Sequence, residues 1–292
     1  MIWSKHSISS PSRADARLAA VLSGATGLAA AIMLLILLFL LRESWPVLRK
    51  VEWQRFLTDE AWHPAEGLFG LAPMLEATLL SSAGALLLAG GLGLGSALFC
   101  RYCAPPSIAR NYRHLLILLA GIPSVVFGFW GLTVLVPLIA RWQPPGASLL
   151  DAILVLTLMI LPTVALTADA ALAAVPHSYL QGAAALGLSR SGTILCVALP
   201  AARGGIVAGL LLAAGRALGE TMAVLMVAGN VVQTPGSLFD PVRTLTANIA
   251  LEMAYATGEH RAALFVSGLV LTGLVMLLAG CALRIGRERS HV

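Results

Sequence analysis

Between Gly204 and Asn230 the chain reads GGIVAGLLLAAGRALGETMAVLMVAGN, an apolar run long enough to cross a bilayer that nevertheless holds Arg216 and Glu220. Residues four apart share one face of a helix, so this spacing predicts an ion pair. On insertion scales each such charge costs about 2.5 to 3.5 kcal/mol near the bilayer centre, so both are retained only against a partner, a cavity or a passing ion. A planar guanidinium grips a tetrahedral oxyanion with two parallel hydrogen bonds, which a lysine does not. Arg216 is the only arginine or lysine inside any of the apolar runs. If the helix starts near Gly204, a rise of about 1.5 Å per residue puts Arg216 roughly 18 Å in, past the midplane. Glu220 would then hold the guanidinium until an anion arrives; a static pair that only joins helices is the competing reading. Ser124 and Thr133, in another apolar run, are secondary candidates for hydroxyl contacts along the same pathway.

Positioning such a pair requires spans around it, and the sequence offers six. Leu18 to Leu41 is a first membrane helix after a basic segment, residues 1–17; its length exceeds a signal core of about 7 to 15 residues, and Arg42-Glu43-Ser44-Trp45 lacks a small-residue cleavage site. Residues 42–73 form a turn-rich connection whose Trp45, Trp53 and Trp62 are expected at the lipid headgroups, the alternative being a face that receives a substrate-delivering protein. The second span, Met74 to Phe99, carries Gly84, Gly90, Gly91, Gly93 and Gly95, which permit close helix contact. A short basic loop, Arg101 to Arg113, leads to a third span, Leu115 to Ile139, broken by Gly121, Pro123, Gly128, Gly131 and Pro137. Such breaks survive in lipid only beside protein or a water-filled cavity, which makes this span a wall of a pathway. Leu149 to Leu166 with Pro162, Gly204 to Ala228, and Ala262 to Leu283 complete the set, and Val231 to Arg261 reads as an outer connection.

The composition agrees. Hydrophobic residues make up 58% and charged residues 11%, against about 25% charged in soluble domains. The net charge of +5 is scattered over short loops, which argues against a nucleic-acid surface. Neither lysine, Lys5 or Lys50, follows a glycine-rich phosphate loop, so ATP chemistry would belong to another chain. No nucleophile and base recur at catalytic spacing, and the expectation is a chain that is not an enzyme. No metal site is expected either: Cys100-Arg-Tyr-Cys103 lacks a second ligand pair, and the six histidines are scattered.

Lysine and arginine in short loops favour the side of the termini, with Lys5, Arg13, Arg17, Arg101, Arg110, Arg113, Arg190, Arg203, Arg284, Arg287 and Arg289 there. The other side has Arg42, Arg49, Lys50, Arg55, Arg141, Arg243 and Arg261, mostly among carboxylates of its longest loop. The positive-inside bias therefore predicts both termini in the cytoplasm of a multi-pass inner-membrane protein. All four cysteines fall in the cytoplasmic half of that topology and are expected to be reduced thiols.

Residues 168–200 are too polar to span but rich in helix formers. Within them Gln181-Gly182-Ala183, Gly187 and Val197-Ala198-Leu199-Pro200 stand at the spacings of the cytoplasmic motif E-A-A, three residues, G, nine residues, I-x-L-P of importer permeases, with glutamine for the acid, glycine for the first alanine and valine for the isoleucine. Together with RALGETMAVLMVAGN, GIPSVVFGFWGL and SLFDPVRTLTANIALEM, this elbow resembles the permeases of ATP-driven phosphate importers, PstC type. The resemblance covers about Gly70 to Leu283 and implies an all-α membrane protein of six transmembrane helices with the type-1 ABC importer permease fold. In that reading residues 74–285 are the permease core, 176–200 the coupling loop and 286–292 a cytoplasmic tail. It further implies transport of inorganic phosphate by alternating access, with Arg216 and Glu220 in the pathway and Gln181, Gly182, Ala183, Gly187, Leu199 and Pro200 coupling to the motor. The partners implied are a sister permease of PstA type, two ATP-binding subunits holding ATP and Mg, and a periplasmic or lipid-anchored phosphate-binding protein. Gly187 would turn between two short helices, and Pro200 would stop the second before the fifth span. Permeases for molybdate, tungstate or sulfate share these features. An ATP-independent channel or secondary transporter would instead show inverted repeats and no coupling loop.

Overall fold

The computed structural model describes residues 13–287; residues 1–12 and 288–292, which hold most of the amino-terminal segment and the tail, lie outside them. The elements are α1 (Arg13–Leu48), α2 (Trp53–Thr58), β1 (Trp62–His63), β2 (Leu68–Phe69), α3 (Ala72–Leu98), α4 (Pro106–Ala120), α5 (Ser124–Trp130), α6 (Val136–Ala140), α7 (Leu149–Ala173), α8 (His177–Ala185), α9 (Arg190–Thr193), α10 (Leu199–Gly219), α11 (Met222–Val227), α12 (Leu245–Glu252) and α13 (Gly258–Arg287). Among the described residues five helices are long and apolar enough to cross a membrane, and the bent pair made by Pro106–Ala120 and Ser124–Ala140 is a sixth span if counted as one.

The centre of the bundle is α7. Two-thirds (67%) of its most apolar window is buried, because α3, α10, α4, α5 and α11 all pack on it. Small residues set the approach. A Cβ on Gly84 would meet Ile153, one on Gly93 would come within 2.8 Å of Val164 Cγ1, and one on Gly209 would collide with Thr167. The backbones of α3 and α10 therefore lie against α7 side chains, as the second span's glycines predict. Gly91 and Gly95 meet nothing, so the glycine run serves this contact at only some of its positions. At one end of the bundle, Ala97, Ala168, Leu172, Ala198, Ala202 and Ile206 join α3, α7 and α10. At the other end Val47, Phe56, Trp62, Phe69, Met74, Leu245 and Leu264 tie the β-hairpin to α12 and α13. Outside this core α1 leans on α13, with Phe39 edge-on to Phe265 at 5.5 Å.

Among the described residues three π turns occur, at Phe99–Cys103, Gly131–Leu135 and Ile194–Ala198, and each ends two residues before a proline: Pro105, Pro137 and Pro200. A proline has no N–H to donate and its ring presses on the carbonyl one turn back. At Pro137 and Pro200 the widened turn relieves that clash without ending the helix, whereas before Pro105 the chain leaves the helix at Ala104.

This changes two expectations. Pro200 does not stop a helix: α9, the π turn and α10 run on as one segment, Arg190–Gly219. The stretch Arg101 to Arg113 is not a loop either, since the π turn extends α3 to Cys103 and α4 begins at Pro106, whose fixed φ suits a first helical position. The third span starts accordingly earlier than Leu115. It turns by 93° at Gly121-Ile122-Pro123, where the residue before proline is driven out of the helical region.

The connection Val231 to Arg261 is also more than an outer loop. Its helix α12 is N-capped by Thr244, whose hydroxyl accepts from Ala247 N, and it buries Leu245, Ala247 and Asn248. Trp62 departs from its expected headgroup position as well: it is 6% exposed and donates Nε1 to Glu252 at 2.9 Å, whereas Trp45 and Trp53 are exposed.

Candidate functional site

The fifth span breaks where its charges sit. Helix α10 ends at Gly219, Glu220 is extended (φ −69°, ψ 128°), and α11 starts anew at Met222. Arg216 and Glu220 therefore do not share a helix face, and among the described residues no ion pair joins them. The reason is local: the Glu220 carboxylate turns forward to cap α11, its Oε1 accepting from Ala223 N at 3.1 Å, while its carbonyl accepts from Thr246 Oγ1 at 2.9 Å. A carboxylate at N-cap geometry satisfies an amide that the break would orphan.

Released from the glutamate, Arg216 is exposed at the last turn of α10. It borders a groove of about 540 Å³ between α10 and α13, with Leu211, Leu212, Gly215, Val275 and Leu278 as the other walls. The guanidinium thus stands on an otherwise apolar face of the subunit.

Ser124 opens α5 and is half-buried, with no side-chain hydrogen bond among the described residues. Thr133 lies in the second π turn, exposed, its hydroxyl donating to Phe129 O at 2.9 Å. The elements that carry these residues do meet: Gly128 of α5 lies against Ala223 and Met226 of α11, and Gly131 against Val155 and Val227. The side chains of Ser124, Thr133, Arg216 and Glu220 make no hydrogen bond to one another.

At the end of the bundle where α3, α7 and α10 converge, residues 176–200 form a preorganised elbow. Helix α8 ends in a Schellman motif: Leu188 N donates to Ala183 O and Gly187 N to Ala184 O, with Gly187 at φ +73°. A Cβ at Gly187 would meet nothing, so the position requires glycine for its backbone angle and not for space. Ser189 then caps α9, its Oγ accepting from Gly192 N at 3.2 Å. Ala183 is buried against the bundle, while Gln181, Gly182 and Gly187 face outward and Leu186 at the apex is 83% exposed. Leu199 and Pro200 sit where α9 passes into α10.

The opposite end holds a polar cluster that sequence reasoning missed. Glu252 accepts from Trp62 Nε1 (2.9 Å), Arg243 Nη1 (2.7 Å) and His260 Nε2 (2.8 Å), and Arg243 also donates to Asn230 O and Asn248 Oδ1. The signal was available in the Asn248 and Glu252 spacing, four apart on one face of a helix whose cap, Thr244, is legible.

Residues 89–286 match the family model described as the inner membrane component of binding-protein-dependent transport systems. The chain belongs to this family. Among related permeases, it is 35% identical over 280 residues to a phosphate transport system permease protein PstC of Mesorhizobium japonicum, covering 87% of this chain and 84% of the relative. It is 39% identical over 222 residues to a probable ABC transporter permease protein, YqgH, of Bacillus subtilis, covering 74% and 72%. The permease fold also matches solved structures of inward-facing MetNI, a methionine ABC transporter, with a TM-score of 0.58 at 19% identity over 73% of this chain and 92% of that one. The protein is an all-α membrane permease of the type-1 ABC importer fold.

Proposed function

We propose that this permease is the membrane-spanning subunit of an ATP-driven importer that moves inorganic phosphate inward by alternating access. What carries the reading is the similarity to phosphate permeases over more than four-fifths of both chains. Arg216 supports it physically. A guanidinium on an apolar subunit face is costly against lipid, so a sister subunit and a hydrated path must cover it, and a tetrahedral oxyanion is the ligand its fork fits. Ser124 and Thr133, on the bent span that packs against α11, line the same path.

The sister subunit is of PstA type, phosphate arrives on a periplasmic or lipid-anchored binding protein, and two separate subunits hydrolyse ATP with Mg. The elbow faces the cytoplasm with both termini and seats its α8 in a groove of the motor, with Gln181, Gly182 and Gly187 at the contact and the exposed Leu186 at its apex. A shift of the elbow reaches the core by two rigid routes, back through Pro176 to α7 and forward through α9 and Leu199-Pro200 to α10, whose far end carries Arg216. Phosphate uptake in cells lacking this chain tests the reading: wild type should restore it, Arg216→Gln should not, and excess sulfate or molybdate should leave it unchanged. Restoration of molybdate or sulfate uptake instead of phosphate would replace the substrate.

A further inference from the structure

A basic pocket lies away from Arg216, at the elbow end of the bundle. The π turn after α3 and the first turns of α4 enclose about 470 Å³ lined by Cys100, Arg101, Pro106, Arg110, Arg113 and His114. Three guanidinium groups converge there against one carboxylate. Arg113 is held by Asp169 of α7 through two hydrogen bonds, Nε to Oδ2 at 2.8 Å and Nη2 to Oδ1 at 3.1 Å. Arg101 and Arg110 are exposed and have no ion-pair partner among the described residues. The cleft therefore carries uncompensated positive charge on two adjustable arms around one fixed arm.

The surroundings distinguish this pocket from a solvent-facing patch. Ile117 forms part of its wall and is 55% exposed, and Leu118, four residues after the lining His114 and so on the adjoining face of the same helix, is 69% exposed. A ligand for such a place needs an anionic, hydrogen-bond-accepting head and an apolar tail that lies along α4. The geometry points to a binding site for the phosphate headgroup of an anionic phospholipid, with Arg101 and Arg110 on the head and the exposed Ile117 and Leu118 of α4 along an acyl chain. Basic clefts between membrane helices at the cytoplasmic surface are suited to such headgroups, and each arginine near the surface contributes a severalfold gain in affinity. Because Arg113 lines the pocket and is bonded to Asp169 of α7, an occupied headgroup site would brace α4 against the central helix beside the coupling elbow.

The test uses the full-length protein in phosphatidylcholine nanodiscs doped with phosphatidylglycerol or cardiolipin, with lipids retained after release counted by native mass spectrometry. Wild type should keep an anionic lipid; the Arg101→Gln, Arg110→Gln pair should lower its retention about thirtyfold, and Arg101→Lys, Arg110→Lys should restore most of it. Unchanged unfolding temperature in the glutamine pair keeps the comparison valid; should that pair fail to fold, the single Arg110→Gln, expected to lose about fivefold, decides instead. Equal retention in wild type and variants overturns the proposal. So does saturable binding of inorganic phosphate to wild type in pure phosphatidylcholine with no selection of anionic lipid, because the anion would then be a free one. Loss of the ATP-binding subunits in the variants with lipid retention unchanged would also overturn it, assigning the arginines to a protein contact.

Discussion

The hydroxyl of Thr246 donates to the carbonyl of Glu220 at 2.9 Å, so the first turn of α12 sits on the break that separates α10 from α11. A helix end in the apolar interior leaves carbonyls without partners, and no water replaces them there. Thr246→Val keeps the shape and removes the donor. It is expected to destabilise the permease by about 1 to 3 kcal/mol, the cost of a buried unsatisfied acceptor, while Thr246→Ser costs less. Thermal unfolding in detergent compares the two; equal midpoints for valine and wild type would show that the break is held by packing alone.

Glu252 is the hub of the opposite end, one carboxylate accepting from a tryptophan, an arginine and a histidine. Glu252→Gln turns one acceptor into a donor and leaves the Arg243 charge without its counterpart, a change expected to cost about 3 to 5 kcal/mol. Trp62→Phe removes one donor and trims the buried indole to a single ring, at about 1 to 2 kcal/mol. Limited proteolysis of the β-hairpin and the unfolding midpoint should rank the two in that order. A reversed ranking would mean that the indole's packing outweighs the charge pair.

Much of this architecture is legible because prolines and glycines in an apolar sequence have few places to go. Gly121 and Pro123 mark the bend of the third span, and Gly187 marks the left-handed residue of the elbow. What the sequence does not convey is how a helix absorbs a proline. Pro200 reads as a stop, but a π turn carries the chain through it, and Pro137 follows the same rule, whereas the helix does end before Pro105. The spacing of Arg216 and Glu220 misleads for a related reason, since it assumes an unbroken helix. The backbone leaves the helix at Glu220, and the carboxylate is taken up by an amide of the next one. Trp62 is misplaced by the headgroup rule because its acceptor, Glu252, lies 190 residues away in the chain.

That cap separates two roles for Glu220. Glu220→Gln retains an amide oxygen able to accept from Ala223 N, so it should fold like wild type, whereas Glu220→Ala orphans that amide and should lose about 1 kcal/mol. If the carboxylate charge works with the Arg216 guanidinium during transport, Glu220→Gln lowers phosphate uptake at least tenfold in a stable protein. If the residue serves only as a cap, uptake stays near wild type in glutamine and falls in alanine in step with expression. Arg216→Lys and Arg216→Gln belong in the same assay. Full transport by both would remove the arginine from the pathway.

Gly187 offers the cleanest probe of the elbow, because its φ of +73° is demanded while its surroundings are open. A β-branched residue there is strained by geometry alone, and asparagine tolerates the left-handed region best among the others. Gly187→Asn should therefore preserve the Schellman turn and uptake, and Gly187→Val should reorient α8 by forcing the turn open, at about 1 to 2 kcal/mol of local strain. The core is untouched by either change, since α8 buries little beyond Ala183. The expected outcome for valine is a permease that inserts and unfolds normally but co-purifies poorly with an ATP-binding subunit and does not couple hydrolysis to uptake. Normal assembly and uptake in Gly187→Val would show that the docking face tolerates a distorted turn, and the contact would then have to lie elsewhere on the α8 to α9 segment.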